Sequence, residues 1–294
     1  MSQTSPPHPS DPKSKPMPVV VYQPDSRLRH PLTLFKDIWR DLLASRELAW
    51  QLIQRDIQSK YRQSLLGIIW AFVPPIVTAI GLTFLKEAKI LNLGETDIPY
   101  PVYVAFSMTL WQTFTQTLNS IMGTARTAKG LLSKLNVPPE SFILSALGQI
   151  LFDFVIGLIP IVFFFLWFKV SITWTLLIAP VAFIHLLLLA TGIGLLIGPF
   201  SCLYGDISKA MGFVTRFGLF VTPVVYEAPR EGIWATLVSI NPVTPLLVTT
   251  RELATTGVIT QPTGFWIASA VAIIITIVGW VFYRISLPFI IERA

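Results

Sequence analysis

From Leu65 onward the chain returns repeatedly to apolar runs of about twenty residues, and this constrains its fold more than any other feature. In hydrocarbon, a run of that length satisfies its own backbone polar groups only as an α-helix. The expected fold class is an all-α polytopic membrane protein with six spans, at 65–85, 100–121, 142–168, 174–204, 211–226 and 265–288. The fourth run is long enough to tilt or to extend past a bilayer; the fifth is short. Composition agrees, since only 13% of the residues are charged, against about 25% in a soluble domain.

Charge orients the spans. With the N-terminus inside, 15 Lys and Arg fall on cytosolic segments and 5 on outer ones, with Arg216 and, near the inner end of the last span, Arg284 inside spans. That asymmetry places both termini in the cytosol. The net charge of +6 follows from orientation. It forms no basic face interleaved with aromatics, so no nucleic-acid partner is expected.

Residues 1–31 hold eight prolines and read as a disordered cytosolic tail, with a proline-rich docking peptide as the other reading. Residues 33–63 read as an amphipathic helix capped by Thr33, with a break at Ser45–Arg46. Its two readings are a membrane-surface anchor and a docking surface for a cytosolic partner; Asp37, Asp41, Glu47 and Asp56 suit anionic lipid poorly. It runs directly into the first span, so Arg55–Pro75 changes from charged helix to membrane span. Pro74–Pro75 is expected to bend that span partway along. The domain reading is therefore a tail, an interface helix and a membrane domain over 65–294. Within that domain, 122–141 is a short basic segment lying across the membrane surface. Residues 227–263 are an outer segment of short apolar helices that enter the membrane and return.

No catalytic constellation appears: HExxH, GxSxG and GxxxxGK[ST] are all missing. Cys202 is the single cysteine, and His8, His30 and His185 are dispersed, so no metal site is expected. Ionisable residues within spans ask for an explanation. Asp153 is read as packing glue or part of a substrate pathway, His185 as a packed histidine or a proton relay, and Arg216 as a side chain that snorkels to the cytosol. Aromatics concentrate in spans one, two and five. They are lipid-facing and interfacial, or they line a pathway whose rings stack on sugar faces.

Three stretches carry a resemblance: RDIQSKYRQSLLGIIWAFVPP from Arg55, YGDISKAMGFVTRFGLFVTPVVYE from Tyr204, and INPVTPLLVTTRELA from Ile240. Together, in order and spacing, they resemble the permease subunits of type-2 ABC exporters that move O-antigen, capsular polysaccharide or teichoic acid. The likeness spans about residues 33–294. It implies a homodimer in the bacterial cytoplasmic membrane, with two separate ATPase subunits that bind ATP and Mg; this chain binds no cofactor. It implies an ATPase interface at Arg55, Asp56, Lys60, Tyr61, Arg62, Arg126, Lys129, Lys134 and Asp206. It implies a channel lined by Trp70, Phe72, Tyr103, Phe106, Trp111, Phe114, Phe217 and Phe220, passing a lipid-linked glycan. An outer gate falls at Pro223, Tyr226, Glu227, Pro242 and Arg251. The sequence departs from many relatives at Pro139–Glu140, where they carry a basic residue. A type-2 permease for a smaller lipid or drug, and a non-transporting scaffold of glycan assembly, are the alternative readings.

Overall fold

The computed structural model describes residues 31–62, 69, 72–91, 94–132, 137–229 and 231–292. The tail, Trp70 and Lys134 lie outside them. The described residues form helices α1 (Pro31–Ala44), α2 (Arg46–Arg62), α3 (Val73–Glu87), α4 (Tyr100–Leu132) and α5 (Glu140–Trp167). A 3₁₀ turn (Trp174–Leu177) leads into α6 (Ala179–Leu203), followed by α7 (Gly205–Val221), α8 (Gly232–Ile240), α9 (Val243–Ala254) and α10 (Pro262–Glu292). There is no strand among the described residues.

Three helices, α5, α6 and α10, are long and apolar enough to cross a membrane. The pair α8–α9, bent by 85° at a short break, makes a fourth if it counts as one span. α3 has 15 residues and α7 has 17. α4 has 33 but is rich in Thr, Gln and Asn, which lower its hydropathy. Its buried hydroxyls are satisfied within the helix: Thr109, Thr113 and Thr117 donate to the carbonyls of Ala105, Thr109 and Thr113 at 2.7–2.9 Å.

Several boundaries differ from the sequence reading. α4 continues unbroken through Leu132, so the first eleven residues of the expected surface segment 122–141 prolong the second run. At 1.5 Å per residue α4 is about 50 Å long, well beyond a hydrocarbon core of about 30 Å. Pro74 and Pro75 occupy the first turn of α3 and begin a helix rather than bend one. Physically this is their favoured place, because the first-turn N–H groups need no helical acceptor. α1 begins at Pro31, two residues before Thr33. α7 begins at Gly205, six residues before the expected start of the fifth span.

α6 is the central helix, and small residues let its neighbours approach. A Cβ on Gly192 would lie 2.6 Å from the Thr276 nitrogen of α10, and one on Gly194 would lie 2.9 Å from the Leu118 carbonyl of α4. Thr276 fastens the α6–α10 contact by donating to the Leu188 carbonyl at 2.7 Å. Close backbone approach through small residues is how helices associate where the hydrophobic effect cannot drive them together. Around α6 the main core joins α4, α5 and α9 through Leu110, Ile161, Leu186, Leu189, Leu246 and Leu247. A second core joins the ends of α4, α5 and α10 through Ile121, Ile143, Tyr283 and Leu287.

Candidate functional site

Two charged assemblies hold the fold at opposite ends of the helices. The first lies where α1 and α2 dock. Ser45 marks the break between them and donates to the Asp41 carbonyl at 2.6 Å. From there α2 runs parallel to α5. Ile53 packs where Gly148 leaves room, Gln149 donates to Asp56 at 2.7 Å, and Lys60 meets Asp153 at 2.5 Å. Asp153 is thus the glue between these helices. Asp56 and Lys60, placed at a partner interface by the resemblance, turn toward α5. Arg55 is exposed and bonds Asp56 at 2.7 Å, and Arg62 is exposed at the end of α2. The Tyr61 side chain lies outside the described residues.

A few residues away Arg284 of α10 reaches both Asp41 of α1 and, at 2.5 Å, Glu140 at the start of α5. Glu140 is 1% exposed. The departure at Pro139–Glu140 is therefore an internal contact: the carboxylate faces the last helix and not the outside. Sequence reasoning missed this triad. A signal was present, since Arg284 interrupts an otherwise apolar run and carries the cost of a charge within it. Its partners lie on helices far away in sequence, so nothing local names them.

At the same end Arg126 is exposed and reaches the Ser201 carbonyl at 3.4 Å, and Lys129 is half-buried. Asp206, at the start of α7, is exposed and pairs with Lys209 at 3.2 Å.

The opposite end is organised by Arg251, buried on α9. Its Nη1 donates to Ser107 Oγ at 2.9 Å and to the Pro223 carbonyl at 3.2 Å, and its guanidinium lies 3.9 Å from the centre of the Tyr103 ring. Tyr103 donates to the carbonyls of Tyr226 at 2.7 Å and Pro223 at 3.2 Å, and Tyr100 donates to that of Val225 at 2.7 Å. The turn after α7 is thereby fastened to α4 and α9. Asn241 adds a tie at the α8–α9 break, donating to Thr222 at 2.8 Å while its Oδ1 accepts from the Val243 N–H. Pro242 follows as the N-cap of α9, and exposed Glu227 packs its Cβ against Gly94, whose φ of +80° suits glycine.

The expected channel residues divide. Tyr103, Phe106, Trp111 and Phe114, expected on a channel wall, are buried inside the subunit. The physical reason is α4's position: it is packed between α3, α5, α6 and α9, so its aromatic side chains fill internal gaps. Phe106 meets Phe165 edge-on, and Trp111 stacks on Phe114 and fills the space left by Gly218 of α7. Phe217 and Phe220 are each 62% exposed, and Phe217 stacks on Phe213. Phe72, at the N-cap of α3, is half-buried. His185 bonds the Val181 carbonyl at 2.7 Å and packs edge-on against Phe265, as a packed histidine would.

A family model matches the stretch from α2 to α9, including the whole Arg251 assembly and, of the triad, Glu140. The family described as ABC-2 type transporter matches residues 47–254, and the chain belongs to it. Among curated proteins it is similar to the O-antigen export system permease protein RfbA of Myxococcus xanthus, 20% identical over 217 residues, covering 73% of this chain and 82% of that protein. It is similar also to a protein of the same name from Klebsiella pneumoniae, 22% identical over 241 residues, covering 76% and 86%. These relatives are permease proteins. The chain is a multi-pass membrane protein of the permease type.

Proposed function

We propose that the chain is the channel-forming membrane subunit of an ATP-driven exporter that carries lipid-linked polysaccharide, of the O-antigen or capsule kind, across the bacterial cytoplasmic membrane. The observation that carries this reading is the similarity over most of the chain to O-antigen export permeases, together with a family match over residues 47–254. Two copies pair, two ATPase subunits supply the energy, and both termini lie in the cytosol.

The charge asymmetry puts the Arg284 assembly on the cytosolic side. There Arg55, Arg62, Arg126, Lys129 and Asp206 offer charges to the ATPases, and residues 122–141 receive their motion. Because Glu140 lies at the end of that segment and pairs with Arg284, movement there reaches α10 and, through Asp41, the amphipathic helices. On the outer side α8 and α9 form a re-entrant gate held by Arg251. The exposed face of α7, with Phe217 and Phe220, and α3 with Phe72 border the path, where rings stack on sugars.

Purification from a native membrane in mild detergent tests the reading. An ABC ATPase subunit is expected in stoichiometric amount with the chain; its absence from every preparation, with the chain intact, contradicts the assignment.

A further inference from the structure

We propose that the groove between the last turns of α3 and α5 binds an anionic phospholipid, with one acyl chain in the groove and the phosphate at its lysine rim. The proposal goes beyond the export reading and holds whatever the cargo is. The groove has a volume of about 430 Å³, within the range of roughly 300–1,000 Å³ for ligand sites. α3 contributes Ile80, Phe84 and Glu87 to it, and α5 contributes Phe163, Trp167 and Phe168. Phe84 is 67% exposed and Trp167 70%, so this apolar lining opens sideways, where hydrocarbon surrounds a membrane helix. The groove lies at the Arg251 end, because the Lys86 ammonium beside it stands 4.4 Å from the ring of Tyr100. The charge asymmetry puts that end on the outer side.

The two helices that wall the groove end alike. After α3 the Lys89 N–H donates to the Lys86 carbonyl and the Ile90 N–H to the Leu85 carbonyl, each at 3.0 Å. After α5 the Lys169 N–H donates to the Leu166 carbonyl at 3.4 Å and the Val170 N–H to the Phe165 carbonyl at 3.0 Å. The left-handed position in such a turn is usually glycine. Here it is lysine both times, with φ of +55° at Lys89 and +53° at Lys169, and no other non-glycine residue among the described ones has a positive φ. A side chain there costs backbone energy that glycine would avoid. The helix dipole favours a cation near each C-terminus, yet it gives no reason to put one at the left-handed position. Lys169 directly follows the lining residues Trp167 and Phe168, and Lys89 lies two residues past Glu87. Of the five cations on outer segments, Lys86, Lys89 and Lys169 are three. Glu87 is the one carboxylate in the lining and adjoins Lys86; Glu95 and Asp97, in the link to α4, do not line the groove. Among the described residues no ion pair engages Lys89 or Lys169. Two cations at the mouth of an apolar groove match a phosphate carried on hydrocarbon.

The test uses the full chain in dodecyl maltoside, with added phosphatidylglycerol that carries a diazirine midway along one acyl chain. Crosslinks should fall within 80–87 and 163–168. Unlabelled phosphatidylglycerol should compete them away, and phosphatidylcholine should not. In Lys89→Gly/Lys169→Gly, half-maximal crosslinking should need about 30-fold more lipid, roughly fivefold for each membrane-surface cation. The same variant should melt no lower than the unmodified chain, because glycine relieves both left-handed positions; a loss of binding is then separated from a loss of folding. Crosslinks spread evenly over the apolar helices, equal competition by phosphatidylcholine, or unchanged binding in the variant overturns the site. Stronger competition by a polyprenyl phosphate than by phosphatidylglycerol also overturns it, by giving the groove to a cargo lipid. So does a disulfide between two copies through Phe163→Cys in a Cys202→Ser background, which would put a second copy in the groove. Neither ATPase association nor export enters these readouts, so failure of the site leaves the export reading as it stands.

Discussion

Arg251 and Tyr103 donate to one and the same carbonyl, that of Pro223, each at 3.2 Å, while the guanidinium lies against the tyrosine ring. The pair forms a single clasp over the turn after α7. Tyr103→Phe keeps the ring and removes the hydroxyl, and is expected to cost about 1–2 kcal/mol. Arg251→Ala removes the ring contact and the two hydrogen bonds of the charged Nη1, at roughly 2–4 kcal/mol. Because the partners are shared, the double variant should be less destabilised than the sum of the two. Thermal unfolding in nanodiscs measures all three; strict additivity would show that the contacts act separately.

Among the described residues, Arg284 is the cation that pairs with Glu140 in its buried site. Arg284→Met should therefore cost about 3–5 kcal/mol, the penalty for leaving a buried carboxylate unpaired. Adding Glu140→Gln to it should recover part of that loss. A double variant as unstable as Arg284→Met, by the same melting measurement, would remove Glu140 from the account.

The α6–α10 contact depends on missing side chains. Gly192→Ala drives a Cβ to 2.6 Å from the Thr276 backbone, and about 1–3 kcal/mol of overpacking is expected. Gly212→Ala in α7 is the control: nothing lies within 4 Å of its Cβ. There, a gain of up to about 1 kcal/mol in helix propensity should raise the melting temperature.

Lys60 and Asp153 tie α2 to α5 across a partly exposed pair. Reversing either charge alone should loosen α2, seen as faster proteolysis within 46–62, with a stability change below about 1 kcal/mol. Reversing both should restore protection. If Lys60→Asp is cleaved no faster than the unmodified chain, the pair is not what docks the helix.

Much of this organisation was legible in the chain. Apolar runs announced α5, α6 and α10 because a membrane helix must carry its own signal along its length. The break at Ser45 and the two short helices before the last span were also readable, from their polar interruption and their length. What remained hidden depends on tertiary contact. Periodicity cannot say whether an aromatic faces a path or a core, so Trp111 and Phe217 looked alike although one is buried and the other exposed. Pro74–Pro75 reads equally as a kink or a start, and only the position of the helix decides. Glu140 looked like an outward departure because Arg284, its partner, lies 144 positions away.

The most direct measurement of the central claim follows the glycan in a strain lacking this gene. Surface polysaccharide should disappear while lipid-linked polymer accumulates on the cytosolic side, and both should be corrected by the unmodified gene but not when the partner ATPase is catalytically inactive. Normal surface polysaccharide in the deletion strain, with no internal accumulation, would contradict the account.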